Sequence, residues 1–204
     1  YKDSRVAIGA TLEPSYQISG DAYDYSIDGS QVRLAIFDAM GHDTAAGQIA
    51  ALALAADRSA RHRGATIAEA GEAIEQELVG QFGGTRFATA VLASLDTRTG
   101  LLSWASFGHH PVLVVRGSDA ILLPCQPAFP LGTGLTGPKA RVCRAQLEPG
   151  DRITLYTDGI LEQHRPGGRE FGLDRLMTHL TRQHDEELSV PEIVRRFVRA
   201  FLDF

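Results

Sequence analysis

The chain has 204 residues, 44% of them hydrophobic and 22% charged, which suits one domain with a proper core. Its 20 basic and 25 acidic residues leave a formal net charge of −5, which argues against a broad electrostatic grip on nucleic acid. No apolar run reaches membrane-spanning length; the longest, residues 49–56, stops at Asp57 and Arg58.

In chain order, residues 6–12 read as a strand. Residues 22–27 and 32–37 read as two more, joined by the turn Asp28-Gly29-Ser30. Residues 44–61 read as an alanine-rich helix suited to close packing on a sheet, with Arg58, Arg61 and His62 favouring its C-terminal dipole. Residues 67–82 form a second helix, with Ile67, Ala70, Ile74 and Leu78 at helical spacing. Alternation then predicts strands over 89–95, 101–107, 111–115, 120–123, 140–147 and 152–156, with turns at 97–100 and 149–151. Helices return over 173–184 and 190–202, the last with Ser189 as a cap and Pro191 in its first turn. The expected class is α+β: an αββα sandwich of two mainly antiparallel sheets packed face to face and flanked by helices, in one domain over 1–204. No signal peptide leads the chain and neither end has the look of a natural terminus, so a piece of a longer multidomain chain is expected. Cys125 and Cys143 form no CxxC pair and no secreted framework, so two reduced thiols in a cytoplasmic domain are expected.

Three aspartates stand in conspicuous places. Asp21 follows Ser19-Gly20, just before a strand; Asp38 closes the apolar run 34–37; Asp158 closes 153–157 and precedes Gly159. Carboxylates on strand ends have rigid supports, and several converging there repel one another unless a cation lies between them. Such hard oxygen donors favour magnesium or manganese. Taken singly, each aspartate reads as a turn or helix cap, and spacing alone does not make a site.

The motifs around them carry a resemblance. Ser19-Gly-Asp-Ala-Tyr-Asp24 resembles the GGDxYD element of the protein phosphatase 2C-like, metal-dependent phosphatases (PPM), and of their bacterial SpoIIE and RsbU branch in particular. Asp38-Ala-Met-Gly-His-Asp43 with Ala45-Ala46 resembles DxxGHG…AA, Phe87-Ala-Thr-Ala the FxT strand, and Gly108-His-His-Pro111 the GHPP element. Pro130-Leu-Gly132, Pro149-Gly-Asp151, Tyr156-Thr-Asp-Gly159 with Glu162, and Phe171-Gly172 complete the series in family order across residues 14–176.

The resemblance implies that Asp21 and Asp38 hold metal, Asp38 bridging two ions, with the Ala39 backbone carbonyl and Asp158 as further ligands. Two Mn2+ or Mg2+ ions are expected in the complete domain, activating a water for in-line attack on a phosphoester without a covalent phospho-enzyme. Two departures stand out. Asp43 replaces a glycine, either tuning metal affinity or beginning the helix beside Thr44, the second being favoured. The late DDxT aspartate of the family has no match before Phe204, so the chain as given is expected to lack the final strand and with it one ligand. His42 and His109 are expected to stabilise turns rather than to ligate, and His110 replaces a proline. The GxGxxG stretch 132–137 precedes Pro138 and opens no helix, so it reads as a loop. Arg86 and Arg141 are both candidates for substrate phosphate.

The implied function is hydrolysis of phosphoserine or phosphothreonine on a regulatory protein, a phosphorylated STAS-type anti-sigma-factor antagonist in bacterial partner switching. An upstream sensor domain is expected, and a homodimer is left open. The alternatives are a degenerate phosphatase acting as a non-catalytic interaction domain, and a metal nuclease or small-molecule phosphohydrolase. The acidic balance and the lack of a basic stripe count against the nuclease.

Overall fold

A computed structural model describes residues 1–13, 20–164, 168, 170–186 and 188–204. Its elements in chain order are β1 (Asp21–Asp28), β2 (Gln31–Ala39), α1 (Thr44–His62), α2 (Ile67–Phe82), β3 (Ala88–Asp96) and β4 (Leu101–Phe107). There follow β5 (Val112–Arg116), β6 (Asp119–Leu123), β7 (Cys143–Gln146), β8 (Arg152–Thr154), α3 (Asp158–Leu161), α4 (Gly172–Asp185) and α5 (Val190–Leu202). The class is α+β with two antiparallel sheets, as the sequence predicts. Among the described residues no helix is long and apolar enough to cross a membrane. The chain divides into two compact units: Pro14–Pro111 with Pro124–Leu147, and Tyr1–Glu13 with Val112–Leu123 and Glu148–Phe204.

The larger unit is a five-stranded sheet in the order β1-β2-β3-β4-β7 with α1 and α2 on one face. The β1–β2 hairpin turns through Gly29, whose φ of 58° suits a residue without Cβ. On the helix side, alternation brings Ala35, Phe37 and Ala39 of β2, Ala88, Ala90 and Leu92 of β3, and Ala105 and Phe107 of β4 against Ala46, Ile49, Ala50 and Ala53 of α1 and Ile74 and Leu78 of α2. Small side chains let the helices come close: a Cβ on Gly71 of α2 would overlap the Phe107 ring. Burying each large side chain here, such as Phe37 or Leu78, contributes about 1.5–3 kcal/mol. Both helix starts are capped. The Asp43 carboxylate accepts from Ala46 N at 2.9 Å, and Thr66 and Glu69 form a reciprocal capping box.

One expectation fails in this unit. Cys125 and Cys143 are not free thiols; they form a disulfide, with their Cα atoms 5.8 Å apart. Cys143 opens the edge strand β7 opposite Trp104, and the 18 residues of separation give no local signature of pairing. That strand is also shorter than the predicted 140–147.

The smaller unit is a three-stranded sheet, β6-β5-β8, with α4 and α5. Its core joins Leu113, Val115, Tyr156, Phe171, Leu176, Leu180 and Ile193. Residues 6–12 are not a strand. The Asp3 carboxylate accepts from Arg5 N and Val6 N and turns the chain, leaving one isolated bridge, Lys2–Ala7. β8 stops at Thr154 instead of running to residue 156: its partner β5 begins at Val112, just after Pro111, and the ladder ends there. Asp158 therefore heads the short helix α3 rather than closing a strand. Ser189 stands at the N-terminus of α5 as expected, though without a side-chain cap bond.

Candidate metal centre

Asp21 is the first residue of β1, and Asp38 is the penultimate residue of β2. The antiparallel register sets them directly opposite each other, and sets Asp38 opposite Thr89 of β3. Asp21, Asp38 and Thr89 thus form one row across three strands at one end of the sheet. They lie on the face away from α1 and α2, because their strand neighbours Ala22, Phe37, Ala39 and Ala88 belong to the helix-side core. Directly opposed residues have Cβ atoms about 4.5–5.5 Å apart. Two carboxylates so placed disfavour being charged together unless a cation lies between them. Ser19, the first residue of the Ser19–Asp24 motif, lies outside the described residues.

The backbone beside the pair is tightly built. Ala39 N donates to Gly20 O at 3.0 Å and Met40 N to Phe87 O at 3.0 Å. A Cβ on Gly20 would lie 2.7 Å from the Ala39 carbonyl oxygen and 3.0 Å from that of Gly41. Two carboxylates and the Ala39 carbonyl therefore offer hard oxygen donors within one short stretch of two neighbouring strands, a donor set that fits Mg2+ or Mn2+. Among the described residues no three His, Cys, Asp or Glu side chains gather as a metal-holding group. Asp158 belongs to the smaller unit, where it is an exposed residue in the first turn of α3.

Neighbouring motif residues have other work. Asp43 caps α1; its carboxyl is held below the usual range by the Ala46 amide first, with Arg86 adding to the effect. That is the helix-start role favoured from sequence. Asp24 points to the helix side, where its two oxygens accept from Arg58 Nε and Nη2 at 2.9 Å each and from Arg61. Those bonds, the Arg58 bond foremost, lower its pKa. Sequence reasoning gave Asp24 no role, because its partners lie a whole helix away. His109 is buried at 9% exposure, and its Nδ1 lies 2.7 Å from Thr89 Oγ1. Ser106 Oγ donates to the His109 backbone carbonyl at 3.1 Å. His42 is exposed.

Residues 28–204 match the family described as Stage II sporulation protein E (SpoIIE). The chain belongs to the SpoIIE family. Members of this family are PP2C-like serine/threonine phosphatases. The SiaA-PP2C domain of Pseudomonas aeruginosa shares its fold, with a TM-score of 0.79 at 23% identity over 92% of this chain and 74% of that one. The RsbU and RsbW domains of Rv1364c from Mycobacterium tuberculosis align with a TM-score of 0.66 at 30% identity, over 76% of this chain and 44% of that one. Protein IcfG of Synechocystis sp. is 26% identical over 117 residues, 57% of this chain. The chain spans only 18% of the length of IcfG.

Proposed function

We propose that this SpoIIE-family chain is a metal-dependent protein phosphatase acting on phosphoserine or phosphothreonine of a regulatory protein. The observation that carries the reading is the direct pairing of Asp21 with Asp38 at the sheet end, beside the crowded Ala39 carbonyl. The side chains of Asp21 and Asp38 and the Ala39 carbonyl are the proposed ligands, and the family resemblance of its motif adds Asp158 as a further proposed ligand. Divalent ions held there, Mn2+ or Mg2+, would supply an acidified water and neutralise the phosphoryl oxygens. The protein's own part is to fix the donors: a β-ladder holds both carboxylates, and Gly20 leaves room for the carbonyls. Both cysteines are joined to each other, so no thiol remains for a phosphocysteine route.

The family and the RsbU–RsbW relative support a place in partner switching. The proposed substrate is a phosphorylated STAS-type anti-sigma-factor antagonist in the cytoplasm, with a sensor domain upstream controlling turnover. The deciding experiment is phosphate release from a phosphoserine protein of that class with and without Mn2+. Wild type is expected to turn over only with the metal, and Asp38→Asn and Asp21→Asn to lose more than about 100-fold, beyond the usual cost of losing a supporting group. Metal-dependent binding of the phosphoprotein without turnover would overturn the enzyme in favour of an interaction module.

A further inference from the structure

We infer that His109 is a positioning residue for the Asp21–Asp38 pair, acting through Thr89. The inference rests on the proposed metal-binding role of that pair.

Thr89 is the third member of the row, directly opposite Asp38. Its hydroxyl is not left to rotate: Oγ1 lies 2.7 Å from His109 Nδ1. A hydroxyl has a single proton, so the tautomer of His109 decides where that proton points. With the proton on Nδ1, the imidazole donates to Oγ1, and the threonine proton is directed toward other acceptors. The carboxylate nearest in the ladder is Asp38.

The backbone that carries the imidazole is itself held in place. Its residue is 9% exposed, and its carbonyl accepts from Ser106 Oγ at 3.1 Å. The chain reaches it through Gly108, which has a φ of 66° and bridges to Ala90 beside Thr89. A Cβ on Gly108 would lie 2.7 Å from Pro130 Cγ, so the turn is closed from the other side by the 124–142 segment. A buried imidazole on a constrained turn, bonded to the residue facing a proposed ligand, is the arrangement by which outer groups orient an inner carboxylate. The sequence separation of 20 residues hides the bond from pattern reading.

The test is Mn2+ affinity of the 204-residue chain by titration calorimetry, alongside the metal-free melting temperature of each variant. His109→Phe keeps a flat buried ring but no hydrogen bond; it is expected to weaken Mn2+ about tenfold. Thr89→Val is expected to weaken it by the same factor, and the double variant no further, because both remove one connection. His109→Asn, whose amide can reach Oγ1, is expected to recover most of the affinity. Phe and Val variants that bind Mn2+ like wild type would overturn the inference while leaving the metal site standing. Equal losses in the Phe and Asn variants that track their melting temperatures would assign His109 to turn packing alone and overturn it too. A wild-type chain that binds no Mn2+ would overturn the metal reading itself, and this inference with it.

Discussion

Gly20 and Ala39 are in contact so close that a methyl group on the first would sit 2.7 Å from the carbonyl oxygen of the second. The obstacle is backbone on both sides, since the Gly41 carbonyl lies 3.0 Å from the same point. Neither oxygen can swing away as a side chain would. Gly20→Ala is therefore expected to lower stability by about 1–3 kcal/mol, the cost of overpacking a close contact. It should also displace the Ala39 carbonyl from beside Asp38, so Mn2+ affinity falls with it. Urea unfolding and metal titration of the variant check both effects; unchanged values in both would mean the strand ends have room to part.

Asp57 and Arg61 pose a different question, of charge without water. Asp57 is 2% exposed, and its Oδ2 lies 2.9 Å from Arg61 Nε. Burial raises the Asp57 pKa, while Arg61 and Arg33 pull it back. Arg61 also pairs with Asp24, which Arg58 grips from the exposed side. Removing one member of a buried pair strands the other, so Arg61→Ala is expected to cost about 3–5 kcal/mol. Arg58 is more exposed, and Arg58→Ala is expected to cost no more than about 1 kcal/mol. Equal losses for the two substitutions, measured by urea unfolding, would refute this division of labour.

Glu192 in α5 supplies a test by pH. Hydrogen bonds from Arg195 first and Arg196 second hold its carboxyl at about 2, below the ordinary 4.5. A carboxyl lowered on folding stabilises the native state above its unfolded pKa and loses that contribution as protons return. The melting temperatures of wild type and Glu192→Gln should therefore differ at neutral pH. The gap should narrow as pH falls below about 4.5 toward 2. Because the cluster is on the surface, the gap should also shrink in salt. A gap that widens in acid would contradict the sign.

Much of the sheet of the larger unit was legible because its strands alternate cleanly and their turns are marked by Gly29 and Gly100. The pairing of Asp21 with Asp38 then follows from a hairpin whose register is fixed by its turn, since a slip of one residue would put Phe37 on the wrong face. Less local relationships were hidden. The Thr89–His109 bond joins two motifs that each looked like strand or turn. The capture of Asp24 by Arg58 and Arg61 depends on how α1 lies on the sheet. Residues 6–12 have a strand's composition but pair with no strand among the described residues, and Asp3 draws the chain into a turn instead.

The cysteines yield the last prediction. Composition pointed to two independent thiols, and nothing in a separation of 18 residues says otherwise. The fold brings them together: β7 adds to β4 at the sheet edge, while the chain between returns along β3 and β4 through the Leu131–Ala88 and Ala128–Phe107 bridges. The cross-link thus closes the loop that also presses Pro130 against Gly108. Closing a loop of this length removes unfolded-state freedom worth about 3 kcal/mol. Reduction, or Cys125→Ser with Cys143→Ser, is expected to lower the melting temperature by roughly 6–12 °C at about 2–4 °C per kcal/mol for a chain of this size. Thiol titration of the purified, unfolded protein should find no free sulfhydryl before reductant and both after it. Two free thiols at the outset, with a melting temperature indifferent to reductant, would restore the reading of the cysteines that the sequence alone suggested.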